Sequence, residues 1–277
     1  MFKYTSNSVS EQCHREVLVC TWRIGSVLQD VFIHAMETYY PFAPIVSASH
    51  EVTPNSPSRY WPDRETEKFI RFWTPELEQM GAEQILHWAA DTFDLKLALV
   101  TVSFGLGGCV LTSMLPKVCA DLEVIHIDSG YLFPETRETA NRLIEKYAVN
   151  IVRHSAETQT EERDFVQPVP LYRSNPARCC HERKYGVLQK LAPKYSALIF
   201  AGRRDQSRTP LPILQWDEHL DLLRIYPLAR WSKRSLWEKI TRESIPYNRL
   251  LDHGYSEVGC IPCTVPVFTD WDSVESA

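Results

Sequence analysis

The sequence lacks a long uninterrupted apolar run. Its most apolar stretch, residues 17–42, is broken by polar and charged side chains at Arg23, Asp30, His34 and Glu37. A transmembrane helix needs about 20 consecutive, predominantly apolar residues, so this stretch is a poor candidate for one. The sequence therefore argues against a protein that spans a membrane.

An excess of positive charge is also missing. The chain has 30 Lys and Arg residues against 35 Asp and Glu residues, which gives a formal net charge of -5 at pH 7. A general affinity for nucleic acid or for an anionic membrane surface is therefore not expected. Any site for an anion has to be local, made by a few cations that the fold brings together.

A secretory signal is absent from the N-terminal residues "MFKYTSNSVSEQC", which do not show a charged and then apolar pattern. The expectation is a cytoplasmic protein, in which thiols stay reduced. The eight cysteines are thus not expected to form a disulfide framework, although their number is even. Residues 1–60 show no repeat and no clean period, and "EVTPNSPSRYWPDRE" at 51–65 is typical of a loop or linker.

Beyond this linker, short apolar runs alternate with helical patterns. The predicted strands are 97–103, 122–128, 150–154 and 196–202. The predicted helices are 74–93 with Thr74 as N-cap and Pro75 at the first position, 109–118, 134–149, a helix from about residue 180 to 191, and 231–245 with Ser232 as N-cap. This alternation predicts an α/β fold, with a central, mostly parallel sheet and helices on both faces.

Three predicted strands end in residues that suit a ligand. The stretches are "SFGLGGCV" at 103–110, "IDSGYLFPET" at 127–136 and "AGRRDQSRTP" at 201–210. Taken singly, the first is equally typical of a tight strand-to-helix turn, the second is also typical of a capped loop, and the third is more typical of a solvated basic loop. Because ligands of parallel sheets bind beyond the carboxyl ends of the strands, the three together predict a pocket for a phosphorylated small molecule.

Four of the cysteines form a two-plus-two pattern. Cys179 and Cys180 are adjacent, among Arg178, His181, Arg183 and Lys184 in "RCCHERK", and Cys260 and Cys263 form a C-x-x-C pair. This arrangement fits a metal better than a disulfide. The other four cysteines and His126 are interpreted as packed residues; these cysteines are Cys13, Cys20, Cys109 and Cys119.

The order of the motifs "SFGLGGCV", "IDSGYLFPET", "CCHERK", "AGRRDQS", "IYPLARWS" and "GYSEVGCIPCT" resembles that of the sulfonucleotide reductases. These enzymes reduce adenylyl sulfate or phosphoadenylyl sulfate with thiols and have an adenine-nucleotide alpha-hydrolase-like fold. The resemblance covers roughly residues 74–265. It implies a nucleotide- and cluster-binding domain at 71–277, preceded by an N-terminal extension of unknown role, residues 1–70.

The double cysteine with C-x-x-C is similar to the branch of this family that carries a 4Fe–4S cluster. The resemblance implies that Cys179, Cys180, Cys260 and Cys263 are the four ligands, and nearby cations favour deprotonated sulfur. Structural zinc is the alternative, but adjacent cysteines fit the usual zinc spacing badly. Lys184 matches a family lysine that links the cluster to the phosphosulfate of the substrate; its alternative is a surface lysine.

The resemblance also implies the residues of the substrate site. The glycine loop should approach the nucleotide, the segment 128–130 should border the adenosine, and arginines after a strand should hold the sulfate end. The residues are Ser103, Gly105, Gly107, Gly108, Asp128, Ser129, Gly130, Arg203, Arg204 and, less directly, Arg208. The glycine loop is closer to the phosphoadenylyl-type version, so the choice of nucleotide stays open.

One departure concerns the nucleophile. The family uses a cysteine in a C-terminal tail, which this chain lacks after "CTVPVFTDWDSVESA". Cys109, at a predicted helix N-terminus that would lower a thiol pKa, is a weak substitute candidate. Two functions follow: an adenylyl-sulfate reductase that uses thioredoxin or glutaredoxin, with the nucleophile supplied elsewhere, or a cluster-bearing nucleotide-binding protein without reductase activity. The sequence leaves the oligomeric state open.

Overall fold

The computed structural model describes residues 64–156, 169–206 and 209–267. Predictions that fall on other residues lie outside this part of the chain, among them Arg208, the cysteines at 13 and 20, and nearly all of the predicted N-terminal extension. The division of the chain at residue 70 therefore stays a prediction. No helix in the described ranges is long and apolar enough to cross a membrane.

The predicted helix over 74–93 is wrong, because this region forms two helices. Helix α1 spans Arg64–Leu77 with Pro75 inside it, and helix α2 spans Ala82–Phe93 with Gly81 as its N-cap. Phe69, Ile70 and Trp73 of α1 pack against the core. This packing draws the residues before Pro75 into the helix, so the Pro signal for a helix start is overridden.

Six strands form one sheet in the order β3–β2–β1–β4–β6–β5. Their bounds are β1 Leu97–Thr101, β2 Glu123–Asp128, β3 Ile151–Ser155, β4 Ala197–Ile199, β5 Leu214–Asp217 and β6 Leu222–Ile225. All neighbouring pairs are parallel except β5 and β6, which are antiparallel. The four predicted strands are confirmed: β1, β2 and β4 are shorter than predicted, and β3 is shifted by one residue. Strands β5 and β6 were not predicted.

The other helices are α3 Leu106–Val118, α4 Pro134–Tyr147, α5 Leu171–Ser174, α6 Pro176–Cys180, α7 Gly186–Leu191 and α8 Lys233–Glu243. Helices α3, α4 and α8 lie close to their predicted bounds. The helix predicted from about residue 180 begins earlier, at Pro176, and α5 was not predicted. A π-helical segment, His181–Tyr185, joins α6 to α7. Ser232 caps α8, as predicted, because its side chain accepts a hydrogen bond from the Ser235 N–H at 3.1 Å.

Both faces of the sheet are covered, which confirms the predicted α/β architecture. Leu97 and Leu99 of β1 join one apolar cluster with α1, α2, α3 and α8. Ala98 and Val100 point to the opposite face, where they join a second cluster with α7. Because side chains alternate along a strand, a strand covered on both faces is mostly apolar, as "LALVT" is up to its last residue.

The central strands β2, β1 and β4 are adjacent and parallel, so the segments that follow them leave the sheet at the same edge. The strand order reverses at β1, which places a topological switch point between β1 and β4, the usual ligand crevice of such sheets. Helix α3 lies close to this crevice. A Cβ atom on Gly107 would lie 3.0 Å from the Ala201 Cβ and 3.1 Å from the Ala201 carbonyl oxygen.

We expect Gly107→Ala to destabilise the fold by about 1 kcal/mol, because crowding against rigid neighbours costs about 1–3 kcal/mol and outweighs a helix-propensity gain of up to about 1 kcal/mol. Gly186→Ala is the matched control, since its Cβ would meet only the His181 carbonyl oxygen, at 3.5 Å. The control should therefore be neutral or stabilising. Urea unfolding measures both, and equal midpoints for the two variants would contradict the prediction.

Candidate functional site

The four cysteines of the two-plus-two pattern line one small cavity. It encloses about 230 Å³ of space, part of it open to solvent. Besides Cys179, Cys180, Cys260 and Cys263, its walls include Ser129, Tyr131, Tyr172, Arg183, Lys184 and Pro262. The fold thus brings together two cysteine pairs about 80 residues apart, as the sequence predicted, and adds residues from the loop after β2.

The adjacent cysteines lie at the end of the short helix α6. The Asn175 side chain caps this helix by accepting a hydrogen bond from the Arg178 N–H at 3.0 Å. The chain then enters the π-helical segment, which changes the direction of the side chains relative to an α-helix. Cys179 is buried and Cys180 is exposed, yet both face the cavity.

The C-x-x-C turn is attached to the segment that follows β2. Leu132 and Cys260 form an isolated antiparallel bridge, and the Ile261 N–H donates to the Tyr131 carbonyl oxygen at 2.8 Å. Within the turn, the Cys263 N–H and the Thr264 hydroxyl both donate to the Cys260 carbonyl, each at 2.9 Å. Backbone contacts therefore fix where the Cys260 and Cys263 thiols stand relative to the sheet.

Two polar side chains brace this junction. The Ser129 hydroxyl lies 3.0 Å from the Cys260 sulfur, within hydrogen-bond distance. Arg183 is only 2% exposed, and its Nη1 donates to the Ser129 carbonyl oxygen at 3.0 Å. Its guanidinium also lies 4.4 Å from the centroid of the Tyr131 ring, a cation–π contact. A structural role for Arg183 was missed, because the sequence shows it only as one of several cations beside the cysteines.

The thiols and Lys184 share one electrostatic environment. Burial raises the pKa of Cys263 above its ordinary value, and the neighbouring Cys260 and Cys180 raise it further, whereas Lys184 lowers it. Several thiolates in one cavity repel each other, so a cation is needed if they are to be deprotonated together. Over the described ranges, no group of three or more His, Cys, Asp or Glu side chains is placed to hold a metal ion.

The loops at the carboxyl edge carry the other predicted residues. Ser103 and Gly105 follow β1, and Asp128 and Gly130 lie at the end of β2. Asp128 is fully buried; its Oδ1 accepts from the Gly130 N–H at 2.8 Å, and its Oδ2 lies 2.7 Å from an Arg153 Nη2. Gly130 has a φ of 80°, which favours glycine. The Asp128 carboxylate therefore shapes the turn after β2.

Gly107 and Gly108 have a packing role in this structure. Besides the contact of Gly107 with Ala201, a Cβ on Gly108 would lie 3.0 Å from the Thr101 hydroxyl oxygen. Gly105 differs, because a Cβ there would meet nothing within 4 Å. Of these three glycines, Gly105 is thus the one whose surroundings leave space for a ligand.

The two arginines after β4 are held by protein groups. Arg203 is 6% exposed, and its Nε donates to the Asp205 carboxylate at 2.9 Å. Arg204 donates from Nε to the Leu211 carbonyl oxygen at 2.8 Å and forms an ion pair with Glu78. Neither arginine lines the cavity of the four cysteines. Their assignment to the sulfate end of a substrate stays a prediction.

Cys109 is a packed thiol rather than an activated one. It is fully buried, and its sulfur donates to the Phe104 carbonyl oxygen at 3.2 Å. Burial raises the pKa of Cys109 to about 12, the opposite of what its place near a helix N-terminus suggested. Desolvation outweighs the helix end here, because the thiolate would be cut off from water. Such a thiol is protonated at neutral pH.

The chain matches known proteins over most of this described region. A model of the phosphoadenosine phosphosulfate reductase domain matches residues 98–266. An adenosine 5'-phosphosulfate reductase of Bacillus pumilus is 35% identical over 195 residues, which cover 69% of this chain and 83% of that protein. One of Salinibacter ruber is 36% identical over 194 residues, which cover 69% and 77%.

Among solved structures, the phosphoadenylyl-sulfate reductase of Candida auris, in a phosphate complex, has the same fold. It superposes with a TM-score of 0.63 at 24% identity and covers 78% of this chain and all of that one. This likeness confirms the adenine-nucleotide alpha-hydrolase-like fold implied by the motifs. Since the family model spans more than half of the chain and these two relatives exceed 30% identity, the chain belongs to the phosphoadenosine phosphosulfate reductase family, the sulfonucleotide reductases.

Proposed function

We propose that the chain takes part in sulfate assimilation by reducing adenylyl sulfate to sulfite and AMP with thiols. The observation that carries this proposal is the cavity of four cysteines beside the loop after β2, with Lys184 in its wall. Relatives that are 34–36% identical to this chain are named adenosine 5'-phosphosulfate reductases. Phosphoadenylyl sulfate is the alternative substrate, to be compared in the same assays.

A 4Fe–4S cluster fits the residues of the cavity. Four thiols are the donor set that such a cluster takes, and they would be Cys179, Cys180, Cys260 and Cys263. A cubane binds one thiolate at each of four irons, so it does not require three donors around a single ion. When bound, the cluster would supply a polarising iron–sulfur centre held by these four thiolates.

The chain's own residues would then orient the substrate. The adenosine would lie at the carboxyl edge, against the loops that carry Gly105 and Gly130. The phosphosulfate would extend toward Lys184, whose ammonium group lies close enough to the thiols to lower the pKa of Cys263. Lys184 is the cation best placed to bridge sulfate oxygens and the cysteine cavity.

The reaction needs a nucleophilic thiolate. Its sulfur bonds to the sulfate sulfur, the bond to the AMP phosphate oxygen breaks, and an S-sulfocysteine forms. A second thiol, from thioredoxin or glutaredoxin, then attacks the cysteine sulfur; a disulfide forms and sulfite leaves with the electron pair. In the described part of the chain, two cysteines lie outside the cavity: Cys109 is buried, and Cys119 is only partly exposed and follows the C-terminal end of α3, away from the glycine loop. We infer that the nucleophile comes from outside these residues.

The second candidate function is a cluster-bearing nucleotide-binding protein without reductase activity. The buried, protonated state of Cys109 favours it, because this thiol does not replace the family nucleophile. Thioredoxin-dependent sulfite release separates the two functions. A reductase releases sulfite and passes through a labelled S-sulfocysteine when the adenylyl sulfate carries labelled sulfur, whereas the alternative binds the nucleotide and releases none.

The Cys109→Ser variant completes this test. We expect it to bind adenylyl sulfate with an affinity within about twofold of the parent chain, because the serine hydroxyl keeps a donor to the Phe104 carbonyl oxygen and the Cys109 thiol it replaces is buried and protonated. Its rate of sulfite release should likewise match that of the parent. Mass spectrometry of the labelled intermediate locates the reacting cysteine, and label on Cys109 that disappears in the variant would show that the assignment is wrong.

The proposed cluster predicts the iron and sulfide content of the purified protein. Anaerobically purified protein should contain about four irons and acid-labile sulfide per chain. Cys260→Ala should lose this iron, because it removes one of the four donors. Cys119→Ala is the control and should keep it, since Cys119 does not line the cavity. Stoichiometric zinc without acid-labile sulfide would reject the cluster and favour a structural zinc site.

Lys184→Ala should weaken binding of adenylyl sulfate more than binding of AMP. A hydrogen bond to a charged group contributes roughly 1.5–3 kcal/mol, so the loss for adenylyl sulfate should be roughly 10- to 100-fold. AMP lacks the sulfate and should lose much less. Isothermal titration of both ligands measures the difference, with the exposed Lys194→Ala as control. Equal weakening of both ligands would remove Lys184 from the sulfate end.

A further inference from the structure

The loop between β1 and α3 contains a residue in an unfavourable backbone conformation. Phe104 has a φ of 46°, in the left-handed region that non-glycine residues rarely adopt. Its side chain is fully buried, in the apolar cluster on the α3 side of the sheet. Such a conformation costs about 1 kcal/mol or more and persists only where surrounding contacts enforce it. The contacts that enforce it here come from β2 and α3.

His126 of β2 holds the loop from one side. It is 3% exposed and lies opposite Thr101 in the β1–β2 register. Its Nε2 lies 3.1 Å from the Val102 carbonyl oxygen, and its ring packs edge-on against the Phe104 ring, with centroids 4.9 Å apart. A carbonyl oxygen only accepts hydrogen bonds, so the proton of the ring must be on Nε2.

The surroundings keep this imidazole neutral. Burial lowers the pKa of His126 below its ordinary value, and the guanidinium groups of Arg153 and Arg137 lower it further, against the opposing effect of the Asp128 carboxylate. A neutral ring carries one proton, and the contact with Val102 uses it. His126 therefore acts as a fixed donor toward the loop.

Cys109 of α3 holds the loop from the other side. Its thiol donates to the Phe104 carbonyl oxygen at 3.2 Å. Two carbonyl groups of the loop are thus held by buried side chains from neighbouring elements. One belongs to Phe104, the strained residue, and the other to Val102, two residues before it. Ser103 lies between them and Gly105 follows, so these two of the predicted nucleotide contacts are on the part of the loop held in this way.

We propose that His126 is a positioning residue, which holds the β1–α3 loop in the conformation that receives the nucleotide. The inference rests on the proposed function for its ligand, but its structural basis is separate: one hydrogen bond to Val102 and one aromatic contact with Phe104. His126 does not touch the cysteine cavity and acts only through the loop.

Two substitutions separate the two contacts. His126→Phe keeps an aromatic ring against Phe104 but removes the donor to Val102, and we expect it to weaken AMP binding about tenfold. His126→Gln retains an N–H donor at a similar distance from the backbone. It should therefore restore at least half of the binding free energy for AMP that His126→Phe loses. The control is His154→Phe, which changes a histidine of β3 that contacts Glu123 instead of the loop. It should leave the AMP dissociation constant unchanged.

Hydrogen exchange supplies a readout that does not depend on the ligand. Without nucleotide, amides of residues 103–109 should exchange at least threefold faster in His126→Phe than in the parent chain or in His154→Phe. Unchanged exchange and unchanged AMP affinity, with only a lower melting temperature, would overturn the proposal and leave His126 as an ordinary core residue. A parent chain that binds neither AMP nor adenylyl sulfate would reject the proposed function, while the exchange rates would still decide the role of His126.

The proposal stays testable if His126→Phe does not fold. In that case Phe104→Leu, which keeps the apolar side chain but removes the ring contact, and His126→Gln are compared with the parent chain. Faster exchange of residues 103–109 in Phe104→Leu, and near-parental exchange in His126→Gln, are the expected results. If His126→Gln exchanges as fast as Phe104→Leu, the hydrogen bond to Val102 has no positioning role and the proposal fails.

Discussion

The site depends on one junction, the pairing of the segment after β2 with the C-x-x-C turn. The bridge between Leu132 and Cys260 and the hydrogen bond from the Ile261 N–H to the Tyr131 carbonyl join residues about 130 positions apart. Closing so long a loop costs entropy, which the packing of the whole domain has to offset. Without this junction the second cysteine pair would have no fixed distance from the first. The cavity therefore results from the complete fold and not from either motif alone.

The burial of Arg183 follows from the same junction. A guanidinium that is 2% exposed needs acceptors and a favourable field, and it finds the Ser129 carbonyl and the face of Tyr131 on the strand side of the junction. Since Arg183 and Lys184 are consecutive in the π-helical segment, anchoring Arg183 fixes where Lys184 emerges. Arg183 thus holds the π-helical segment in place, and Lys184 faces the cavity.

The sequence predicted the parts of the fold in which local and global signals agree. Runs such as "LALVT" predicted the parallel strands, and Ser232 predicted where α8 begins. It failed at Pro75, where packing of Phe69 and Trp73 overrides the local signal, and at β5 and β6, whose short strands lack a strong pattern. The four cysteines were predicted as a set, because their spacing is unusual. The anchoring of Arg204 by Glu78 was not predictable, since the partner lies 126 residues away and depends on how α1 packs.

Strand β2 connects the two halves of the site. His126 and Asp128 lie on the same face of the strand, two residues apart. His126 contacts the glycine loop, and Asp128 contacts the turn that contains Gly130. Ser129, the residue between Asp128 and Gly130, lies against the Cys260 sulfur. A shift of β2 by one residue would exchange these faces and break the contacts with the β1–α3 loop and with the cysteine cavity together. The register of β2 against β1, from Ala98–Glu123 to Thr101–His126, therefore determines the distance between the adenosine end and the sulfate end of the proposed substrate site.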